Sequence, residues 1–216
     1  MADLQSIQAK SNYGLGIAAR VLGESVTQYR ANNPMAPLDG SGFTRVFDAA
    51  FDADPLLTMT KPAIVGRCLF YLIADATNLE VGDYIVGPQG QFFVASLEPL
   101  RPPVVIRANS VLFLSRPGEA LQAGLGPPGG DSVASETTLF AGWPGSVLIA
   151  GRSGQGDVDL PGDVGMAGWQ ILLPYLFGID IRGSDILTDQ SGLRHLVVGA
   201  ELSPMGWRID AIQEAA

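Results

Sequence analysis

Apolar and polar positions along this chain change period near residue 44. Over residues 3–22, Leu4 and Ile7, then Leu15, Ala18, Ala19 and Leu22, recur at helical spacing. Asp3 is placed to cap this helix and Gly23 to stop it. The stripe lapses at Ser11, and Gly14 and Gly16 weaken the middle, so one helix or two shorter ones both fit. Ser25–Arg30 has strand character, and Asn32-Asn33-Pro34-Met35-Ala36-Pro37 reads as an irregular extended segment. Beyond Thr44 the apolar runs shorten. They predict strands at Arg45–Phe47, Arg67–Ile73, Tyr84–Val86, Gln91–Leu97, Val104–Ala108 and Val111–Ser115. The second half adds Thr138–Ala141, Ser146–Ala150, Gln170–Leu173, Ile179–Ile181, Ile186–Thr188, Arg194–Val198 and Trp207–Ala211.

Part of this pattern occurs twice. Asp83-Tyr84-Ile85 leads through a turn to Gly90 and then Phe92-Phe93-Val94-Ala95. Asp185-Ile186-Leu187 leads through a turn to Gly192 and then Leu196-Val197-Val198. The Asp-to-Gly spacing is seven residues in both. The match needs a one-residue gap before Glu201. It implies two modules of one kind; unrelated hairpins sharing turn chemistry are the alternative. Gly87-Pro88-Gln89-Gly90 supplies a hairpin turn in the first copy.

Gly (27) and Pro (15) together make about a fifth of the 216 residues, and charged residues only 16%. Many breakers between short apolar runs predict a mainly β chain: two small β-barrel-like domains, an N-terminal helix and long Gly/Pro-rich loops. The expected division is an N-terminal helix and arm over 1–43, a first β domain over 44–115, a linker over 116–135 and a second β domain over 136–216. The Gly-rich stretch 151–168 lacks a strict third-residue glycine, which excludes a collagen helix.

The net charge of −9 is uneven. Residues 1–118 carry ten acidic and nine basic side chains, and residues 119–216 carry twelve and four. A protein that grips nucleic acid needs a basic footprint, and this chain lacks one. An acidic wall still suits a passage through which DNA slides without sticking. The single cysteine, Cys68, excludes an internal disulfide and a cysteine metal cluster. The polar start Met1-Ala2-Asp3-Leu4-Gln5 predicts no secretory signal, and no apolar run reaches the length of a membrane span.

Few constellations carry chemistry. Gly14-Leu15-Gly16-Ile17-Ala18-Ala19 fits a loose dinucleotide fingerprint but lacks the preceding strand, so close helix packing is the preferred reading. Asp157, Asp159 and Asp163 resemble the start of a calcium loop, but Pro161 and Gly168 replace expected ligands, and a solvated acidic loop is the default. Whether they bind a cation stays open. His195 is the only histidine; without a nucleophile elbow it reads as a polar strand-face residue. Trp143 is equally a core residue or an interface anchor, while Trp169 and Trp207 read as core. Tyr29 and Arg30, followed by Asn33, form an aromatic and cationic patch that either docks a partner or folds back on the first domain. No catalytic residue, cofactor or metal is expected.

The run Ser184-Asp185-Ile186-Leu187-Thr188-Asp189 through Gly192 and Leu196-Val197-Val198, then Met205-Gly206-Trp207-Arg208-Ile209-Asp210-Ala211, resembles the small β-barrel of tailed-bacteriophage head-completion (stopper) and head–tail connector proteins. Asp83 to Glu98 is a fainter echo. Asn12-Tyr13-Gly14-Leu15-Gly16 with Tyr29-Arg30 and Asn33-Pro34 also resembles proteins encoded among phage virion genes. The resemblance covers about 80 residues in two patches of generic hairpin character. Stoppers are usually single-domain and about half this length, so the resemblance implies a doubled or decorated variant. It implies a structural role in the virion, assembled in the host cytoplasm. The chain would form a homo-oligomeric ring at or near the head–tail interface, with portal, adaptor or tail proteins as neighbours. DNA would pass without sequence-specific binding, and no membrane would be involved. A collar or tail-fibre module that binds a receptor or glycan is the alternative.

Overall fold

A computed structural model describes residues 3–52, 68–118, 136–149, 168–175 and 178–214. The acidic loop with Asp157, Asp159 and Asp163 lies outside them. The described chain is mainly β, with one N-terminal helix and two closed six-stranded barrels. Helix α1 (Leu4–Leu22) is continuous through Gly14 and Gly16. Asp3 opens it with its backbone carbonyl, which accepts from the amides of Ser6 and Ile7, and its side chain makes no cap bond. Ala19 and Asn12 are buried against the first barrel. A Cβ at Gly16 would stand 3.1 Å from that of Asp75, and one at Gly23 would collide with the Ala49 carbonyl. The glycines thus permit close packing of helix on barrel.

The first barrel comprises β1 (Glu24–Tyr29), β2 (Phe43–Asp52), β3 (Leu69–Ile73), β4 (Tyr84–Gly87), β5 (Gly90–Ser96) and β6 (Val104–Ala108). The second comprises β7 (Ser110–Pro117), β8 (Glu136–Ile149), β9 (Gly168–Leu173), β10 (Ile186–Asp189), β11 (Arg194–Ser203) and β12 (Gly206–Gln213). Around the first the order is β1-β2-β3-β6-β5-β4, and around the second β7-β8-β9-β12-β11-β10. Adding six to each strand number converts one barrel into the other. Each carries a bulge at the same place, between Val94 and Ser96 on β5 and between Val197 and Gly199 on β11. The doubled motif of the sequence is therefore one part of a doubled barrel.

The strand pairing sets boundaries that differ from those read off composition. β1 belongs to the first barrel, although its Glu24-Ser25-Val26-Thr27-Gln28-Tyr29 sequence is mostly polar. β7 belongs to the second, and its end pairs with the start of β8, Pro117 opposite Glu136. Residues 119–135, outside the described set, therefore join two strands of one barrel and do not link two domains. The covalent junction between barrels is Asn109 alone. Thr138–Ala141 and residues 146–149 of the next expected strand lie in the single strand β8, where Gly142 takes φ 74. Ile179–Ile181 is not a strand, because the Asp180 carbonyl and the Arg182 amide bond side chains, Arg116 and Asp185, in place of a ladder.

Alternation along β4, β5 and β6 explains how the barrels join. Ile85, Phe92, Val94 and Val105 fill the first barrel. Their neighbours Tyr84, Phe93, Ala95 and Ile106 point the other way and pack into the core of the second, with Leu112, Phe140 and Trp143. A sheet buried on both faces reads as a continuous apolar run, as Phe92-Phe93-Val94-Ala95 does. Each large side chain so buried contributes about 1.5–3 kcal/mol to the contact between the barrels.

Candidate functional site

Asp83 and Asp185 open the repeated hairpins and are both 1% exposed. The Asp83 carboxylate accepts from Arg30 Nε and Nη2 at 2.8 and 2.9 Å and from the Glu80 amide at 2.8 Å. The Asp185 carboxylate accepts from Arg116 Nε and Nη2 at 2.7 and 2.8 Å and from the Arg182 amide at 2.8 Å. The backbone repeats the pattern: Gly82 and Ser184 donate to Val94 and Val197, whose amides bond Asp83 and Asp185 in return. The sequence suggested turn formers here. They are turn formers, and they also anchor a two-toothed arginine fork that ties the hairpin to the first strand of its barrel. The carboxylates hold both guanidiniums above their ordinary range, chiefly through these hydrogen bonds.

Of the residues singled out as a possible interface, Tyr29 and Trp143 pack with the apolar cluster that spans both barrels at their seam, while Arg30 and Asn33 bond within the first barrel and the arm. Arg30 is committed to Asp83 and, at 2.6 Å, to Glu80. Tyr29 packs edge-on to Phe43 with centroids 6.3 Å apart. Asn33 bonds Asp39 and the Met35 amide within the arm. Trp143 is buried, at 4% exposure, and its indole Nε1 donates to the Pro34 carbonyl at 2.7 Å. The arm thus reaches the second barrel, where its Pro34 carbonyl accepts from the Trp143 indole and the Ala141 amide of β8. Tyr84 completes the seam: its hydroxyl donates to the Pro144 carbonyl at 2.8 Å, and its ring lies 6.0 Å from that of Trp143. Burial pushes the Tyr84 phenol well above its ordinary value. Asn109 locks the junction by bonding both the amide and the carbonyl of Val147.

His195 does not lie on a polar face. It is fully buried inside the second barrel, and neither ring nitrogen has a hydrogen-bond partner among the described residues. Its ring packs edge-on to Trp169 at 5.3 Å, as Phe92 does to Phe70 at 5.7 Å in the first barrel. Burial holds its imidazole below the ordinary value. Trp207 is core, and Trp169 is partly buried against the same cluster. A further ion network closes the second barrel: Arg194 bonds Glu136 and Glu214 at 2.6 Å each, and Ser115 donates to Glu136. The hydrogen bond from Arg194 holds the Glu136 carboxyl below its usual range. Sequence patterning missed this network because its members come from three strands and the chain's end.

Two grooves flank helix α1. One runs between the helix and β2, lined by Tyr13, Ile17, Arg20, Arg45, Val46 and Phe47. The other, about 710 Å³, lies between the first half of α1 and residues 97–103. Among the described residues, no group of three His, Cys, Asp or Glu side chains is placed to hold a metal ion. No helix among them is long and apolar enough to cross a membrane. Neither protein-family models, curated proteins nor solved structures give a match to this chain.

Proposed function

We propose that this chain is a structural protein of a tailed-phage particle, assembled as an oligomeric ring at or near the head–tail interface with DNA passing through it. The observation that carries the reading is the doubled barrel: two barrels of one topology, rigidly fused, each pinned by the same buried arginine–aspartate fork. A ring needs subunits that repeat one packing relationship, and a pair of like barrels already makes one such relationship within the chain. The net charge of −9, concentrated in the second half, suits a surface that passing phosphate does not adhere to. Negative-stain microscopy and native mass spectrometry of the purified chain test this. Closed rings with a central opening support it, and compact trimers with glycan affinity favour the tail-fibre alternative.

A further inference from the structure

The internal duplication identifies a face of the second barrel whose centre is exposed. In the first barrel, the outward face of β4, β5 and β6 is covered by the second barrel. Its side chains Tyr84, Phe93, Ala95 and Ile106 are at most 4% exposed. Strand pairing identifies their counterparts. Tyr84 stands opposite Phe93, and Phe93 opposite Ile106. Likewise Ile186 stands opposite Leu196, and Leu196 opposite Ile212. The bulge residue Ala95 corresponds to Val198. The second barrel therefore repeats an apolar outward face in which Ile186 is buried at the rim, 2% exposed, Leu196 and Ile212 are half-buried, and Val198 is exposed. Here Ala95, 1% exposed, is replaced by Val198, 62% exposed.

The covering surface has a counterpart too. In the second barrel it is the β8 corner from Phe140 to Pro144, paired with Leu114 to Val111. In the first barrel the same register holds Arg45, Val46, Phe47 and Asp48, paired with Gln28 to Ser25. This corner is open to solvent: Val46 is 58% exposed, and Tyr13 and Ile17 of α1 beside it are 69% and 46% exposed.

We infer that the β2 corner of a second copy of this chain docks on the β10–β12 face, centred on Val198, and so repeats between chains the contact that joins the barrels within one. The occupant is argued from the fold itself, since the equivalent face is already covered by the equivalent corner. The contact is head-to-tail: each chain offers one face and one corner, which generates a ring or a filament and not a two-fold dimer. This deepens the ring reading and rests on it for the closure of the chain of contacts.

The test uses the full chain with Val198→Asp, Val46→Asp and a control, Met205→Asp, at an exposed site in the β11–β12 turn. Light scattering after size exclusion is expected to show a multimer for the wild type and the control, and a monomer for each of the first two. Both substituted sites are exposed, so thermal melting of the variant monomers verifies folding. Mixing the Val198→Asp and Val46→Asp chains leaves one intact face and one intact corner per pair. It is expected to give a two-chain complex and nothing larger, including where either variant melts early. Multimers that survive both substitutions, or a mixture that stays monomeric, overturn the proposed contact and leave the ring reading standing. A wild-type chain that remains monomeric overturns the contact as well, and the ring reading then depends on the composition of the particle.

Discussion

His195 in the second barrel stands where Phe92 stands in the first, and each meets an aromatic ring edge-on, Trp169 or Phe70. The histidine brings two polar nitrogens, without partners among the described residues, into a site its counterpart fills with hydrocarbon. His195→Phe is expected to stabilise the chain by about 1–2 kcal/mol, the desolvation cost of an unpaired buried group. Its pH dependence has a definite sign. Burial lowers the folded-state value below the ordinary 6.5, and the nearby Asp189 only partly opposes this. The unfolded chain therefore binds the proton first as pH falls. Stability from this group is full above pH 6.5 and declines as pH drops through and below that value. Urea unfolding between neutral and mildly acidic pH is expected to show this decline in the wild type and to lack it in His195→Phe.

The two arginine forks are equivalent in place but not in support. Without Arg30, Asp83 keeps the Gln28 amide at 2.6 Å and the Glu80 backbone amide. Without Arg116, Asp185 keeps only the Arg182 amide among its hydrogen bonds given above. An uncompensated buried carboxylate costs about 3–5 kcal/mol. Arg116→Ala is expected to approach that range and Arg30→Ala to fall below it. Denaturant midpoints of the two variants check the order.

Gly82 and Ser184 are the corresponding turn residues ahead of the two aspartates, at φ 94 and 74. Glycine meets this conformation without strain, and serine does not. Ser184→Gly is expected to stabilise by about 0.5–1 kcal/mol, and Gly82→Ala to destabilise by at least as much. Thermal melting of both variants measures the pair of opposite signs.

The seam is expected to make the two barrels unfold together. Heat or urea is expected to give one transition by tryptophan fluorescence and by far-ultraviolet circular dichroism alike. Tyr84→Phe removes the bond to the Pro144 carbonyl and is expected to lower stability by about 1–3 kcal/mol while keeping that single transition. Tyr84→Ala also removes the ring against Trp143, and its two probes are expected to separate.

The sequence shows some of this and conceals the rest for physical reasons. Helix α1 and most strands are visible because each has an apolar period. The repeat is visible because Asp83 and Asp185 stand at one spacing from Gly90 and Gly192. The arginine forks are not, since Arg30 and Arg116 lie 53 and 69 residues from their partners, and no local pattern records such distances. The barrel boundary is not legible because Gly/Pro-rich composition does not distinguish a junction between barrels from a connection between two strands of one barrel. Trp143 was ambiguous because it is both core and interface, with the interface lying inside the chain. His195 reads as polar by type, and only the Phe92 correspondence reveals its interior position.

The most direct test of the central claim is the composition of the particle. Mass spectrometry of purified phage particles from the strain that encodes this chain is expected to find it at a fixed, multiple copy number relative to the other particle proteins. Absence of the chain from DNA-filled, infectious particles would contradict the account.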